Sequence, residues 1–289
     1  MRYEGRVFRP PSEAYSLIIQ STIGCSHNKC DFCDMYKEKR FRERDIQMVL
    51  DDLSLARSHH SFVERIFIAD GDALIRSTSD WGVLLENIHS LFPECQRVSC
   101  YGSPRSVLRK TAEDLKRLRG LGLAMVYMGL ESGSDAVLKD MNKGETVEEI
   151  VEAAAKVKDA GITLSVTVVS GLGGTALWEE HAIKTGEALS RMKPHYIGLL
   201  TLMLQEGAPL YERNAAGQFE ILGPREVAAE TLLMLENIDS EGSVFRSNHS
   251  SNYLMLKGTL NRDLKPMKKL LKEALGGKIG YRGEMARGL

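Results

Sequence analysis

Three of the five cysteines, Cys25, Cys30 and Cys33, fall within nine residues as C-x4-C-x2-C. Three thiolates on one short segment suit a soft metal centre, and iron–sulfur clusters are held by cysteine thiolates. Only three are local, so three readings stand. A structural zinc site would be completed by His27, although structural zinc usually closes with a second ligand pair further along. A plant-type [2Fe–2S] carrier shares this spacing and would draw its fourth ligand from Cys95 or Cys100. The third reading is a [4Fe–4S] cluster with one iron open to an exogenous ligand, because an open position marks a catalytic site.

The elements that must position this trio are legible as an alternation. Strand-like runs occupy Ser16–Ser21, Arg65–Ala69, Arg97–Tyr101, Met125–Leu130, Thr163–Val169 and Tyr196–Met203. Most are near-continuous apolar runs, as in strands buried on both faces of a parallel sheet. Helical windows separate them at Asp45–Arg57, Ser79–Leu91, Ala112–Leu121, Val147–Ala160 and Trp178–Met192. Thr111 and Thr146 read as N-caps, and Gly122 and Gly161 as helix ends. Six βα units predict an α/β fold, a partial (β/α)6 barrel with parallel strands. The cysteines then sit at the C-terminal ends of the strands, where catalytic groups collect. Pro224–Asn237 and Arg262–Leu275 read as extra C-terminal helices. The expected organisation is a core over residues 1–211 and a helical extension over 212–289 that closes the barrel, with a tail fraying from about residue 276.

Other strings carry chemistry or punctuation. The fifth strand runs into Ser170-Gly171-Leu172-Gly173-Gly174, which lets backbone approach a ligand closely; no Lys-Ser/Thr pair follows, so it is not a phosphate P-loop. Arg105, after the third strand, is placed to grip a carboxylate or phosphate, or equally to cap the helix that follows. Phe245–Tyr253 is dense in hydrogen-bonding side chains, and Arg246, Asn248, His249 and Asn252 are its substrate-facing candidates; its plainer reading is a polar loop. Cys95 and Cys100 read as small packing residues.

The cysteine triad after the first strand of six βα units, with Phe32 just before its last member, resembles the radical SAM superfamily. The usual triad there is C-x3-C-x2-C, so Ser26-His27-Asn28-Lys29 is one residue longer. The resemblance covers about Ser16 to Tyr211. Gly129-Leu130-Glu131-Ser132-Gly133 and Glu206-Gly207-Ala208-Pro209-Leu210-Tyr211 are similar to strings of the branch that holds methylthiotransferases, Elp3-like proteins and coproporphyrinogen-oxidase-like proteins. The resemblance implies an enzyme with a [4Fe–4S] cluster on Cys25, Cys30 and Cys33, whose open iron binds the amino and carboxylate groups of S-adenosylmethionine. Reductive cleavage then yields a 5′-deoxyadenosyl radical that abstracts hydrogen from substrate, the cofactor carrying the hard chemistry. It also implies roles for the residues that match. Phe32 packs near the adenine, and Gly71 and Asp72 stand where the family binds the methionine ammonium. Glu131, with Ser132 beside it, sits over the ribose, and Thr167 aligns with a ribose-contacting position. Lys143 stands where the branch often has Arg for the methionine carboxylate, supplying charge without the bidentate fork.

Composition narrows the partners. With 38 basic and 39 acidic side chains the 289-residue chain carries a formal net charge of −1, which removes the usual electrostatic argument for a polyanion or membrane-surface binder. No targeting signal is visible at the N-terminus, and the longest apolar stretch, near Tyr196–Leu204, is too short to span a bilayer. The expected setting is cytoplasmic. The expected partners are a small-molecule substrate and a ferredoxin- or flavodoxin-type reductant, without membrane or nucleic acid.

Overall fold

The computed structural model describes residues 2–288. Its strands are β1 (Leu17–Gln20), β2 (Arg65–Ala69), β3 (Arg97–Tyr101), β4 (Leu123–Glu131), β5 (Thr163–Ser170), β6 (Tyr196–Thr201), β7 (Val244–Arg246) and β8 (Lys257–Thr259). Its main helices are α1 (Ile46–His59), α2 (Thr78–Leu91), α3 (Ala112–Gly120), α4 (Val147–Asp159), α5 (Gly174–Met192), α6 (Pro224–Glu236) and α7 (Leu264–Leu275). Two compact units are formed.

The first unit comprises Met1–Asn28, Met35–Met128 and Glu152–Leu164. Here β1, β2, β3 and the first part of β4 pair in that order, all parallel. Ile66, Phe67, Ile68 and Ala69 are all fully buried, which is why β2 is an unbroken apolar run rather than an alternation. Helix α1 packs on β1 and α2. Capping is as the sequence predicts at Thr111, whose Oγ1 accepts from Asp114 N (3.0 Å) while Asp114 accepts from Thr111 N (2.9 Å). Beyond β1, Thr22–Ile23 and Arg42–Glu43 pair antiparallel and flank the loop that carries the cysteines.

The second unit comprises Lys29–Asp34, Gly129–Val151 and Ser165–Leu289. Its β5, β6 and β7 are parallel, and β8 is antiparallel to β7. Val166, Val168, Ile197, Leu199 and Phe245 are buried and alternate with Ser165, Thr167, Gly198, Leu200 and Arg246, which are half-buried or exposed. That period of two separates a helix-covered face from a more open one. Helix α6 packs against both α5 and α7.

Two expectations change. The segment expected as a helical extension holds two strands besides α6 and α7; runs of three residues are too short to show a period. The tail expected to fray from about residue 276 is tied down. Arg287 donates to Ser251 O (2.6 Å) and its guanidinium stacks 3.9 Å from the Tyr253 ring centre, while Arg282 N donates to Tyr253 O. Charge-assisted bonds and a cation–π contact compensate the entropy that frees most termini. Among the described residues no helix is long and apolar enough to cross a membrane.

Candidate active site

A buried carboxylate holds the cysteine loop at both ends. Asp70 Oδ2 accepts from Gly24 N, Gln20 Nε2 and Lys39 Nζ, each at 2.9 Å. The Asp70 and Lys39 side chains are 0% and 4% exposed, so the pair is shielded from water. Lys39 Nζ also donates to Arg6 O. Within the loop Asn28 takes a left-handed conformation (φ 46°), and its Nδ2 donates to the carbonyls of Tyr36 (2.7 Å) and Lys39 (3.2 Å). A Cβ at Gly71 would fall 2.6 Å from the Tyr36 ring and 3.1 Å from Cys25 Cβ, so only glycine lets the backbone after β2 lie this close to Cys25. Asp72 is fully buried and accepts from Ser103 N (2.9 Å), Ser103 Oγ (2.8 Å) and Ser26 Oγ. Its carboxylate thereby ties the longer x4 segment of the cysteine motif to the turn after β3.

The other half of the loop, Lys29–Asp34, is held from Met141 and from the Glu206–Tyr211 string with Arg213 just beyond it. Asp31 N donates to Met141 O (3.0 Å) and Leu210 N donates to Asp31 O (2.9 Å). Arg213 bridges Asp31 (3.3 Å) and Asp140 (2.8 Å). Phe32 packs against the cluster of Val137, Met141, Leu172, Leu202 and Leu210.

Cys25, Cys30 and Cys33 are half-buried thiols, and no disulfide involves them. Among the described residues no group of three or more His, Cys, Asp or Glu is gathered as a ready metal cage. The donor set nevertheless fits an iron–sulfur group: three sulfurs share one anchored loop of nine residues, with Gly71 leaving room beside Cys25. Cys95 and Cys100 are of another kind. Burial, the larger effect, and the nearby Asp72 charge push the Cys100 thiol far above its ordinary pKa, and burial raises that of Cys95. Both pack as thiols.

The Gly129–Gly133 string has a physical reading residue by residue. A Cβ at Gly129 would lie 1.9 Å from Glu131 Oε1, and one at Gly133 would lie 2.1 Å from Lys184 O, so both glycines permit close approach. Glu131 itself takes φ 63°, a left-handed conformation costly for a non-glycine residue and frequent at functional sites. Its carboxylate accepts from Lys143 Nζ at 3.3 Å, both side chains being about one-eighth exposed (12% and 13%). Burial works against the Lys143 ammonium, but the charges of Glu131, Cys30 and Glu145 outweigh it and hold its pKa above the ordinary lysine value. Ser134 caps the short helix Asp135–Asp140, and Thr167 is half-buried on the open face of β5.

Behind this turn runs a buried polar chain that sequence reasoning missed. Ser132 Oγ meets His181 Nδ1 at 2.8 Å; His181 Nε2 lies 3.7 Å from Glu230 Oε1, which accepts from Ser170 Oγ (2.5 Å) and Gly171 N (2.7 Å). Burial pushes Glu230 up to about 7 and His181 down to about 4. Because the folded state binds the Glu230 proton more tightly than the unfolded state, its favourable contribution is full below pH 4.5 and lost as pH rises through 7. His181 has the opposite sign, its contribution being lost as pH falls from 6.5 through 4. Glu230→Gln removes only the first dependence. Relative to wild type, urea unfolding of this variant is expected to gain about 3 kcal/mol between pH 4.5 and 7, at about 1.4 kcal/mol per pH unit. Parallel pH profiles for the two proteins would contradict the buried neutral carboxyl.

The substrate candidates separate. Asn252 is buried, its Nδ2 donating to Leu199 O (2.8 Å) and its Oδ1 accepting from Thr201 Oγ1 (3.0 Å), so it braces the loop after β7 against β6. His249 shares a hydrogen bond with Ser251 Oγ (2.9 Å), and burial and the Arg282 charge keep its pKa below the ordinary histidine value. Asn248, Arg105 and Arg246 are exposed; Arg105 lies on the short helix Pro104–Leu108, which Ser103 caps.

Known proteins share this architecture. Coproporphyrinogen III oxidase (HemN) from Escherichia coli, described as a radical SAM enzyme, matches at a TM-score of 0.57 and 16% identity over 76% of this chain and 52% of its own. The methyltransferase TsrM from Kitasatospora setae, solved with cobalamin and a [4Fe–4S] cluster, matches at 0.56 and 18% identity over 72% of this chain and 42% of its own. These likenesses bear out the α/β partial barrel. The ribosomal protein uS12 methylthiotransferase RimO of Caldanaerobacter subterraneus subsp. tengcongensis is 26% identical over 70% of this chain and 46% of its own length. The chain spans less than half the length of the curated relatives it matches first. Nothing in these matches supports the zinc or plant-type carrier readings. The family model described as the radical SAM superfamily matches residues 19–185, more than half of the chain, from β1 through the Gly129–Gly133 string into α5; the chain belongs to the radical SAM superfamily.

Proposed function

We propose that this chain is an enzyme that carries a [4Fe–4S] cluster on Cys25, Cys30 and Cys33 and binds S-adenosylmethionine with Phe32, Gly71, Glu131, Lys143 and Thr167, while the fully buried side chains of Asp72 and Ser132 brace the cysteine loop and the Glu131 turn instead of touching the cofactor. When bound, the cluster supplies one electron to the sulfonium, so that a C–S bond breaks into methionine and a 5′-deoxyadenosyl radical that takes hydrogen from an unactivated C–H bond of substrate. The observation that carries this reading is the anchored three-cysteine loop in a chain of this superfamily.

The chain's own residues have distinct tasks. Asp70 and Lys39 fix both ends of the loop, and Asp72 holds its middle through Ser26. Glu131 offers a carboxylate to ribose hydroxyls, and Lys143 supplies a cation. The Ser132–His181–Glu230 chain sets the orientation of the Glu131 turn from behind. Electrons come from a ferredoxin- or flavodoxin-type donor. The substrate is a small molecule rather than a nucleic acid, a reading supported by the near-neutral net charge, since polyanion binding rests largely on excess cations.

The test is release of 5′-deoxyadenosine by the anaerobically reconstituted chain with a one-electron reductant, across a metabolite panel. Release is expected without substrate at a slow basal rate and is expected to rise with one compound class. No release under any condition would contradict the proposal.

A further inference from the structure

The open face of β5–β8 carries a row whose chemistry the superfamily membership does not explain. Strand register sets Thr167 beside Gly198 and Gly198 beside Arg246, and across the antiparallel pair Arg246 faces Lys257. Directly paired residues project from the same side of a sheet. That side is the one opposite Val168, Leu199 and Phe245, which are buried.

Three features of the row point to a ligand. Arg246 and Lys257 are like charges directly opposite each other, an unfavourable arrangement, and no carboxylate pairs with either among the described residues. Arg246 is held rather than loose: its Nη1 donates to Phe245 O (2.9 Å) and Gly258 O (3.3 Å), leaving its other donors unspent. Beside it, a Cβ at Gly198 would meet nothing nearer than 3.9 Å, so the strand offers open space next to the two cations.

We propose that Gly198, Arg246 and Lys257 form a subsite for a dianionic group of the substrate, a phosphate monoester before a carboxylate. Two positive charges, that of Arg246 held by backbone carbonyls, balance a dianion; the guanidinium fork matches phosphate oxygens, and the bare Gly198 backbone gives the group its floor. This rests on the radical-enzyme reading above and names the class of molecule it acts on.

Inorganic phosphate is the probe, titrated calorimetrically into the cluster-loaded chain in chloride buffer, with acetate as the comparison. One saturable site per chain is expected, tighter for phosphate than for acetate. Arg246→Gln and Lys257→Gln are each expected to weaken it about tenfold or more, the loss of one charge-assisted bond. Gly198→Val, which keeps both cations and suits a strand, is expected to block it by filling the floor. Exposed Lys278→Gln is the control and is expected to leave it unchanged. Absence of a saturable site, equal affinity for acetate, or binding unchanged in Arg246→Gln, Lys257→Gln and Gly198→Val would overturn the proposal. Phosphate binding at these residues without any 5′-deoxyadenosine release from the same wild-type preparation would overturn the radical reading and leave the dianion subsite standing. The reverse pattern would overturn the subsite alone.

Discussion

Alanine at Cys25, Cys30 or Cys33 is expected to lower 5′-deoxyadenosine release by about a thousandfold or more, because groups that act as one unit fail together. Under the proposed function each of these cysteines would supply one of three bonds to the same cluster, with neither of the other two thiols placed to substitute. Cys95 and Cys100 pack as protonated thiols with raised pKa values, the wrong state for a ligand. Cys95→Ala and Cys100→Ala are therefore the internal controls. They are expected to cost stability by about 1 kcal/mol while the reconstituted protein keeps its iron. The measurement is iron content and product release for all five variants prepared side by side. Retention of both in any of the first three would remove that residue from the ligand set.

The second large effect is at Asp70. Replacing it with alanine removes three hydrogen bonds at one oxygen and leaves the Lys39 ammonium buried without its counter-charge. Breaking a buried pair from one side typically costs about 3–5 kcal/mol, much of it the penalty on the abandoned charge. Lys39→Met alone is expected to cost a similar amount for the same reason. The double variant separates pairing from simple packing: Asp70→Ala with Lys39→Met is expected to be less destabilised than the two single losses added together. Chemical unfolding of the four proteins of that cycle reads the coupling. Additive losses would show that the two side chains stabilise the loop independently. Because Asp70 also holds Gly24 N, the single variant is further expected to take up iron poorly even below its unfolding midpoint.

Much of the positioning framework is legible in the sequence. The six apolar runs that became β1 to β6 are long enough for burial on both faces to leave a mark, and capping residues such as Thr111 declare themselves locally. The cysteine spacing was equally plain. What escaped was non-local. The anchoring role of Asp70 is not written locally, because its partners Gln20, Gly24 and Lys39 lie 31 to 50 residues away. His181 and Glu230 sit on amphipathic helices where a polar residue on the buried face leaves no periodic signature, and their link to Ser132 spans 49 residues or more. Strands β7 and β8 are three residues each, below the length at which alternation can be recognised. Lys143 was expected to face the cofactor's carboxylate; its pairing with Glu131 follows from a turn geometry that only the backbone reveals. The C-terminal tail looked free because glycine and charge dominate it, while its anchor, Tyr253, belongs to another segment.

Anaerobic reconstitution of the full chain, followed by iron analysis and electron paramagnetic resonance of the reduced protein with and without S-adenosylmethionine, tests the central claim most directly. About four irons per chain and a cluster signal that changes when S-adenosylmethionine is added are expected. Two irons held by four thiolates, zinc alone, or a four-iron signal indifferent to S-adenosylmethionine would contradict it.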